Sequence, residues 1–446
     1  MVLSWTKGSR VFRRARKGKD ILNSSNDLQV EIAIPTHFRC PITLDIMKDP
    51  VTLSTGITYD RDSIEKWIES GNNTCPVTKT ELLLPTNFDN IVPNHSLRRM
   101  IQDWCVQHRS YGVERIPTPR IPVTPYEVTD TCTRILSAVQ QDEQQKCFEL
   151  VKKIKGWGKE SERNKKCIVS NGAPIVLANV FDSFSRCSFE KINVVLLEEV
   201  LGMLTWMRPV SEQSRLILGS LNSLSCMVWF LNDKNQVSTR QNASLLIKEM
   251  HVESLMKIEG IVETLVNMVK VPIGSASTKA CLSTIFHLVF SSKSKKVVLE
   301  RFVELGLVSI LLEIIVDAEK GVCEKALGVL DSLCDSTNGV GIAKSNALTL
   351  PLVIKKLLRV SELSSSFVVS IVYKICCDNK GEEEGVLIEA IQVGMFQKLL
   401  VLLQVGCGEN TKEKATELLK LLNGYRSKAE CVDSSSLDFM HLKKPF

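Results

Sequence analysis

From about Thr129 onward the chain repeats itself, and no other feature narrows the available folds as far. A short helical pattern ends at a glycine or its equivalent, and a strongly apolar helical segment follows. The instances are Asn171-Gly172-Ala173-Pro174, Leu218-Gly219-Ser220, Glu259-Gly260-Ile261, Leu305-Gly306-Leu307, Thr349-Leu350-Pro351 and Val393-Gly394-Met395. The landmark positions 172, 219, 260, 306, 350 and 394 lie between 41 and 47 residues apart. A third apolar helix shows in several units, as in Glu324 to Leu333 and Glu413 to Leu422, and a partial unit from Cys147 to Lys159 opens the array. Units of this length with two or three helices stack into an α-solenoid. One unit cannot bury its apolar face alone, whereas a stack makes a continuous core and a long curved groove. The expectation is a mostly α chain with a solenoid over 128–426.

The rest of the chain divides by composition. Residues 1–32 form a basic tail, with seven Lys or Arg among the first 20 residues. Residues 34–108 form a compact module of mixed pattern. Residues 109–127 hold Pro117, Pro119, Pro122 and Pro125, which remove backbone donors and favour an extended linker. Residues 427–446 form a polar C-terminal tail. A net charge of +6 over 446 residues carries no general nucleic-acid signature. No stretch of about 18 uncharged apolar residues predicts a membrane span; the best run, Leu307 to Val316, is broken by Glu313. The 15 cysteines lie mostly in apolar helical patterns and read as reduced thiols. Without a secretory pattern the expected location is cytoplasmic, with the nucleus or the cytosolic face of a membrane left open. The basic tail reads as solvated, as a nuclear signal, or, because Trp5, Val11 and Phe12 interleave with its charges, as a weak contact for anionic lipid. Val2 excludes N-myristoylation.

Within the module, Asp49 to Leu53 and Gly56 to Tyr59 flank the turn Ser54-Thr55-Gly56 and predict a short hairpin. Asp60 is placed to cap a helix with Ile64, Trp67 and Ile68 at one face, and Gly71 stops it. A second helix begins at Asn94, with Leu97, Ile101 and Trp104 on one face. Cys40 and Cys75 stand where two loops of a zinc module would each begin a ligand pair, but Thr43 and Thr78 occupy the second positions. Asp60, Arg61, Asp62 and Ser63 fill the middle, where further ligands would fall. Two lone thiolates cannot complete a tetrahedral site, so no metal is expected, and Cys40 and Cys75 read as packing residues.

The strings Cys40-Pro41-Ile42, Met47-Lys48-Asp49-Pro50-Val51, Gly56-Ile57-Thr58-Tyr59-Asp60-Arg61, Ile64, Trp67, Cys75-Pro76-Val77-Thr78 and Pro93-Asn94 resemble a U-box, the zinc-free relative of the RING. With the repeats behind it, the chain resembles the plant U-box E3 ubiquitin ligases that carry C-terminal armadillo repeats. The resemblance implies a small α+β U-box followed by an armadillo solenoid. It implies an E3 ubiquitin transferase with no nucleophile, no covalent enzyme intermediate and no cofactor. Such a module docks an E2 carrying ubiquitin as a thioester, and a substrate lysine then attacks; its contribution is proximity and orientation. By position, Ile42 and Leu44 on the first loop, Trp67 on the central helix and Pro76 on the second loop would meet the E2. Lys79 would bridge E2 and ubiquitin, although lysine lacks the planar fork of arginine. Asp60, Arg61 and Glu65 would form the scaffold network in place of metal. The implied partners are an E2, ubiquitin and a protein substrate, with a homodimer left open and no nucleic acid. The implied setting is plant stress or immune signalling. A non-catalytic armadillo scaffold is the alternative.

In armadillo arrays that grip extended peptides, the third helices carry a ladder of asparagines along the groove. The apolar pattern here puts Trp206, Glu249, His287, Ser332, Lys374 and Leu421 at those positions, with no asparagine among them. The first five are the candidate substrate groove, and its chemistry differs from backbone-gripping amides.

Overall fold

The computed structural model describes residues 33–82, 91–118, 122–186, 191–233, 236–291, 295–377 and 383–429. The basic tail 1–32 and positions 430–446 lie outside the described residues. The chain forms two compact units, dividing between Ile121 and Pro122.

The N-terminal unit is built on a three-stranded antiparallel sheet in the order β2-β1-β3. Strands β1 (Pro50–Thr52) and β2 (Thr58–Asp60) form the expected hairpin, with Val51 opposite Tyr59. Gly56 turns it at φ +77°, a left-handed conformation that a side chain resists. Helix α1 (Arg61–Glu69) follows directly, and Gly71 lies just beyond its end at φ +86°. Strand β3 (Val92–Pro93) completes the sheet beside β1. Asn94 then caps helix α2 (His95–Gln107), its side chain accepting from the Leu97 N–H. The core joins Met47, Val51, Tyr59 and Ile64 to Ile101 and Cys105 of α2. Ile116, in the proline-containing stretch, is buried in this same core, and Gln102 Nε2 donates to the Ile116 carbonyl.

The C-terminal unit is helical throughout. Pro125 opens its first helix, Pro125–Gln140, behind a complete capping box between Thr124 and Glu127. The third helices of successive units stack in order: Gln144–Glu160, Lys191–Trp206, Val237–Ile247, Ser275–Ser291, Lys320–Leu333, Glu362–Cys376 and Glu409–Ala429. One apolar core runs from Val128 to Leu422 without interruption, as stacking of incomplete units requires. Four of the six repeat landmarks, Gly172, Gly260, Gly306 and Gly394, are left-handed and turn the chain between a unit's first two helices. Gly219 is not left-handed, but a Cβ there would stand 2.9 Å from the Arg215 carbonyl oxygen. The turn before position 350 dispenses with glycine: Leu348 precedes the helix Thr349–Lys356 in right-handed geometry.

No single helix among the described residues is long and apolar enough to cross a membrane. The described cysteines are free thiols, most of them buried in the two cores. No three His, Cys, Asp or Glu side chains converge on an ion site among the described residues.

Candidate partner-docking site

The two loops that would carry zinc ligands in a metal module are built to one plan. In the first, the Cys40 N–H donates to Asp45 O at 2.8 Å and the Leu44 N–H donates to Cys40 O at 2.8 Å. In the second, the Cys75 N–H donates to Thr80 O and the Lys79 N–H to Cys75 O, both at 2.9 Å. The fifth residue of each loop is left-handed, Leu44 at φ 62° and Lys79 at φ 60°. Neither is glycine, so each loop holds an uncommon conformation whose cost the surrounding bonds must offset. The shared text Cys-Pro-Ile-Thr and Cys-Pro-Val-Thr is the signal of this likeness in the sequence.

Adjacent residues of β2 hold the two loops. The Asp60 N–H donates to Cys40 Sγ at 3.3 Å, and the Asp60 carboxylate accepts from the Lys48 and Asp49 N–H groups at 2.8 and 2.9 Å. Asp60 therefore occupies the cap position of α1, but its side chain makes no capping bond, because two other backbone donors take it. Burial pushes its carboxyl above the usual range, the two N–H donors oppose this, and nearby Asp62 and Asp49 reinforce it. On the other side, the Tyr59 hydroxyl lies 3.0 Å from Cys75 Sγ and accepts from the Val77 N–H at 3.3 Å. Burial and the bond to Cys75 push the Tyr59 phenol up.

Cys75 does more than fill space. Burial pushes its thiol up, but donors from Thr55, Thr78 and Tyr59, with the Thr78 N–H, outweigh that and bring it down to about 6. Hydrogen-bond donors thus stand around the sulfur where a metal ion would stabilise the thiolate. The side chain is fully enclosed, so this sulfur is a structural group and not an accessible nucleophile.

Charged groups tie the same region to α2. Arg61 Nε donates to Asp49 Oδ2 at 2.7 Å, and Arg98 Nη2 pairs with Asp49 Oδ1. Arg61 also approaches Glu65 at 3.6 Å, one turn along α1. The scaffold set Asp60, Arg61 and Glu65 lies in this one region, and the residues the sequence did not single out for it are Asp49 and Arg98.

The expected partner-facing residues surround these loops. Leu44 is 67% exposed and Val77 52% exposed, one on each of the two loops. Ile42, Trp67 and Pro76 are half-buried. The Trp67 indole N–H donates to Thr74 O at 2.8 Å, which fixes the ring beside the second loop. The Lys79 ammonium sits over the same ring at 5.9 Å from its centre. The structure thus brings Trp67, Pro76 and Lys79 together, with Ile42 and Leu44 on the twin loop.

The candidate groove residues all fall on or just after the stacked third helices, but their surroundings differ. Trp206 packs over Gly158, where a Cβ would meet its ring at 3.1 Å. Glu249 accepts from the Val210 N–H at 2.8 Å. His287 is exposed, whereas Ser332 is buried and donates to the Gly328 carbonyl. Lys374 bonds to Asp331 at 2.8 Å and Asp335 at 2.6 Å. Leu421 is partly exposed. No uniform ladder results.

A RING-like platform with no cluster of metal ligands among its described residues, followed by a helical repeat array, is the architecture of a U-box armadillo protein. The family model "U-box domain" matches residues 34–110, and "Plant U-box protein ARM repeat region" matches residues 127–442. The chain is 45% identical to U-box domain-containing protein 21 of Arabidopsis thaliana over 93% of this chain and 94% of that protein. It is 35% identical to the E3 ubiquitin-protein ligase PUB23 of the same plant, over 89% of this chain and 95% of that one. A designed armadillo repeat protein overlays 55% of this chain with a TM-score of 0.44 and 18% identity. The chain belongs to the plant U-box E3 ubiquitin ligase family with armadillo repeats.

Proposed function

We propose that the U-box docks an E2~ubiquitin thioester on its twin loops and that the armadillo solenoid recruits the protein to be modified. The observation that carries this reading is the pair of matched, metal-free loops presenting Leu44 and Val77 to solvent around half-buried Ile42, Trp67 and Pro76. A small apolar cluster with aromatic and proline anchors suits a moderately weak, exchangeable interface. Catalysis then consists of holding the thioester in a reactive arrangement for an incoming lysine. In this reading Lys79 is the residue that touches E2 and ubiquitin together, and its position over the Trp67 ring supports it.

The test is autoubiquitination by the full chain with E1, ATP, ubiquitin and a panel of E2 enzymes. Ile42→Ala and Pro76→Ala should each abolish chain formation while circular dichroism stays that of the wild type. Wild-type protein that is inert across the panel would overturn the reading and leave a scaffold whose U-box only binds.

A further inference from the structure

Between the second and third complete repeats lies a cleft of about 400 Å³ that the ubiquitin-transfer reading does not use. Arg215, Lys248, His251 and His287 line it, together with Glu249 and the wall Pro209-Val210. Two of the candidate groove residues, Glu249 and His287, therefore belong to one cavity.

Lys248 and His287 are exposed there. Arg215 brings a guanidinium whose Nη2 pairs with Glu212 at 2.8 Å. The Lys248 ammonium makes no ion pair or hydrogen bond among the described residues. The His287 ring meets Phe286 edge-on and has no hydrogen bond among the described residues. His251 already contacts Glu212 at 2.9 Å. The acid of the lining is also satisfied: Glu249 accepts from the Val210 N–H and lies 4.0 Å from Arg208. Its charge is thus turned toward the wall.

We propose that this cleft binds a phosphate monoester. A phosphoryl group offers three acceptor oxygens and a charge near −2, which suits a cleft lined by Arg215, Lys248 and two histidines better than one carboxylate does. The histidines contribute an N–H even when neutral. The competing account is that Lys248 and Arg215 only offset the carbonyl ends of nearby helices, which would need no ligand.

The test footprints the intact full-length chain. Lys248 is labelled with an acetylating ester and His287 with diethyl pyrocarbonate, and rates are read by mass spectrometry. The additions are inorganic phosphate, a short phosphoserine peptide and inositol hexakisphosphate, each against chloride at equal ionic strength. Labelling of both residues should slow about threefold once the site is two-thirds occupied. Protection by the peptide assigns the site to a phosphorylated protein, and protection by the inositol phosphate alone assigns it to a small molecule. Lys248→Gln, at an exposed position, should erase the protection of His287. Unchanged rates with all three additions at about 10 mM would overturn the proposal. Equal slowing at His37 and His95 of the N-terminal unit, or protection of His287 that survives Lys248→Gln, would do the same. The readout does not involve ubiquitin transfer, so failure here leaves the E2-docking reading standing.

Discussion

Replacing Asp49 with alanine removes the carboxylate that Arg61 and Arg98 share. Their side chains are only 13% and 12% exposed, and that of Asp49 is 21% exposed. Removing one member of a buried pair costs about 3–5 kcal/mol, chiefly because the partner charge stays buried without compensation. Residual solvent access places this case near the lower figure, about 3 kcal/mol, because water screens part of each charge. The opening free energy of the N-terminal unit should fall by that amount. Hydrogen exchange on the full chain reads it directly, in peptides spanning the Lys48, Asp49 and Arg61 amides. At about 1.4 kcal/mol per factor of ten, protection should drop on the order of 100-fold. Asp49→Asn keeps an acceptor but loses the charge, and should fall between. Glu143→Ala, which breaks an exposed pair at 2.7 Å with Lys146, serves as control, with an expected cost of about 0.5 kcal/mol or less. If Asp49→Ala changes protection by less than about threefold, the ion network is ornamental and the loops are held by something else.

Further outcomes follow from the same geometry. Lys79→Arg keeps the charge over Trp67 and adds a planar fork, so single-turnover discharge of the E2 thioester should rise several-fold, whereas Lys79→Ala should lower it. Cys75 titrates near 6 in the fold against 9.0 for an ordinary thiol, so its contribution is complete above the unfolded value and is lost as pH falls through 6. The N-terminal unit should therefore gain about 2 kcal/mol between pH 6 and 8, and Cys75→Ala should flatten that rise in chemical denaturation. Lys374→Ala removes the ammonium that Asp331 and Asp335 share and should cost the solenoid about 2 kcal/mol in urea unfolding, while His287→Ala should stay within about 0.5 kcal/mol.

What was legible in the sequence follows a physical line. The solenoid announced itself because each unit must repeat the same burial, and burial writes a period into the chain. The hairpin, α1 and the Asn94 cap were legible because each rests on local chemistry within a few residues. Strand β3 was not, since two residues carry no alternation to read. The scaffold network was half legible. Arg61 stands beside Asp60, but Arg98 reaches Asp49 across 49 residues, a pairing that only the assembled sheet and α2 create. The donors around Cys75 come from Thr55, Tyr59 and Thr78, and no local rule ties a tyrosine on β2 to a sulfur on a later loop. For the candidate groove residues, periodicity put them on or just after the stacked helices but could not foresee that Lys374 would be consumed by Asp331 and Asp335, or that Ser332 would be buried.

The absence of cysteine pairs also changes how the twin loops are coupled. A metal ion would fix each loop through its own ligands, and one loop could loosen while the other stayed tied. Here Tyr59 holds the second loop and Asp60 the first, and the two residues are neighbours on one strand paired to β1. Displacing β2 by the length of a hydrogen bond therefore releases both loops at once. Asp49 sits at the junction: its N–H bonds to Asp60, its carbonyl accepts from the Arg61 N–H, and its carboxylate joins α1 to α2. Two left-handed loop residues, Leu44 and Lys79, depend on that junction to keep an otherwise disfavoured conformation. A platform held by hydrogen bonds and ion pairs in this way is rigid only as a whole, so the Asp49→Ala loss of protection should reach the amides of Leu44 and Lys79 together and not one before the other.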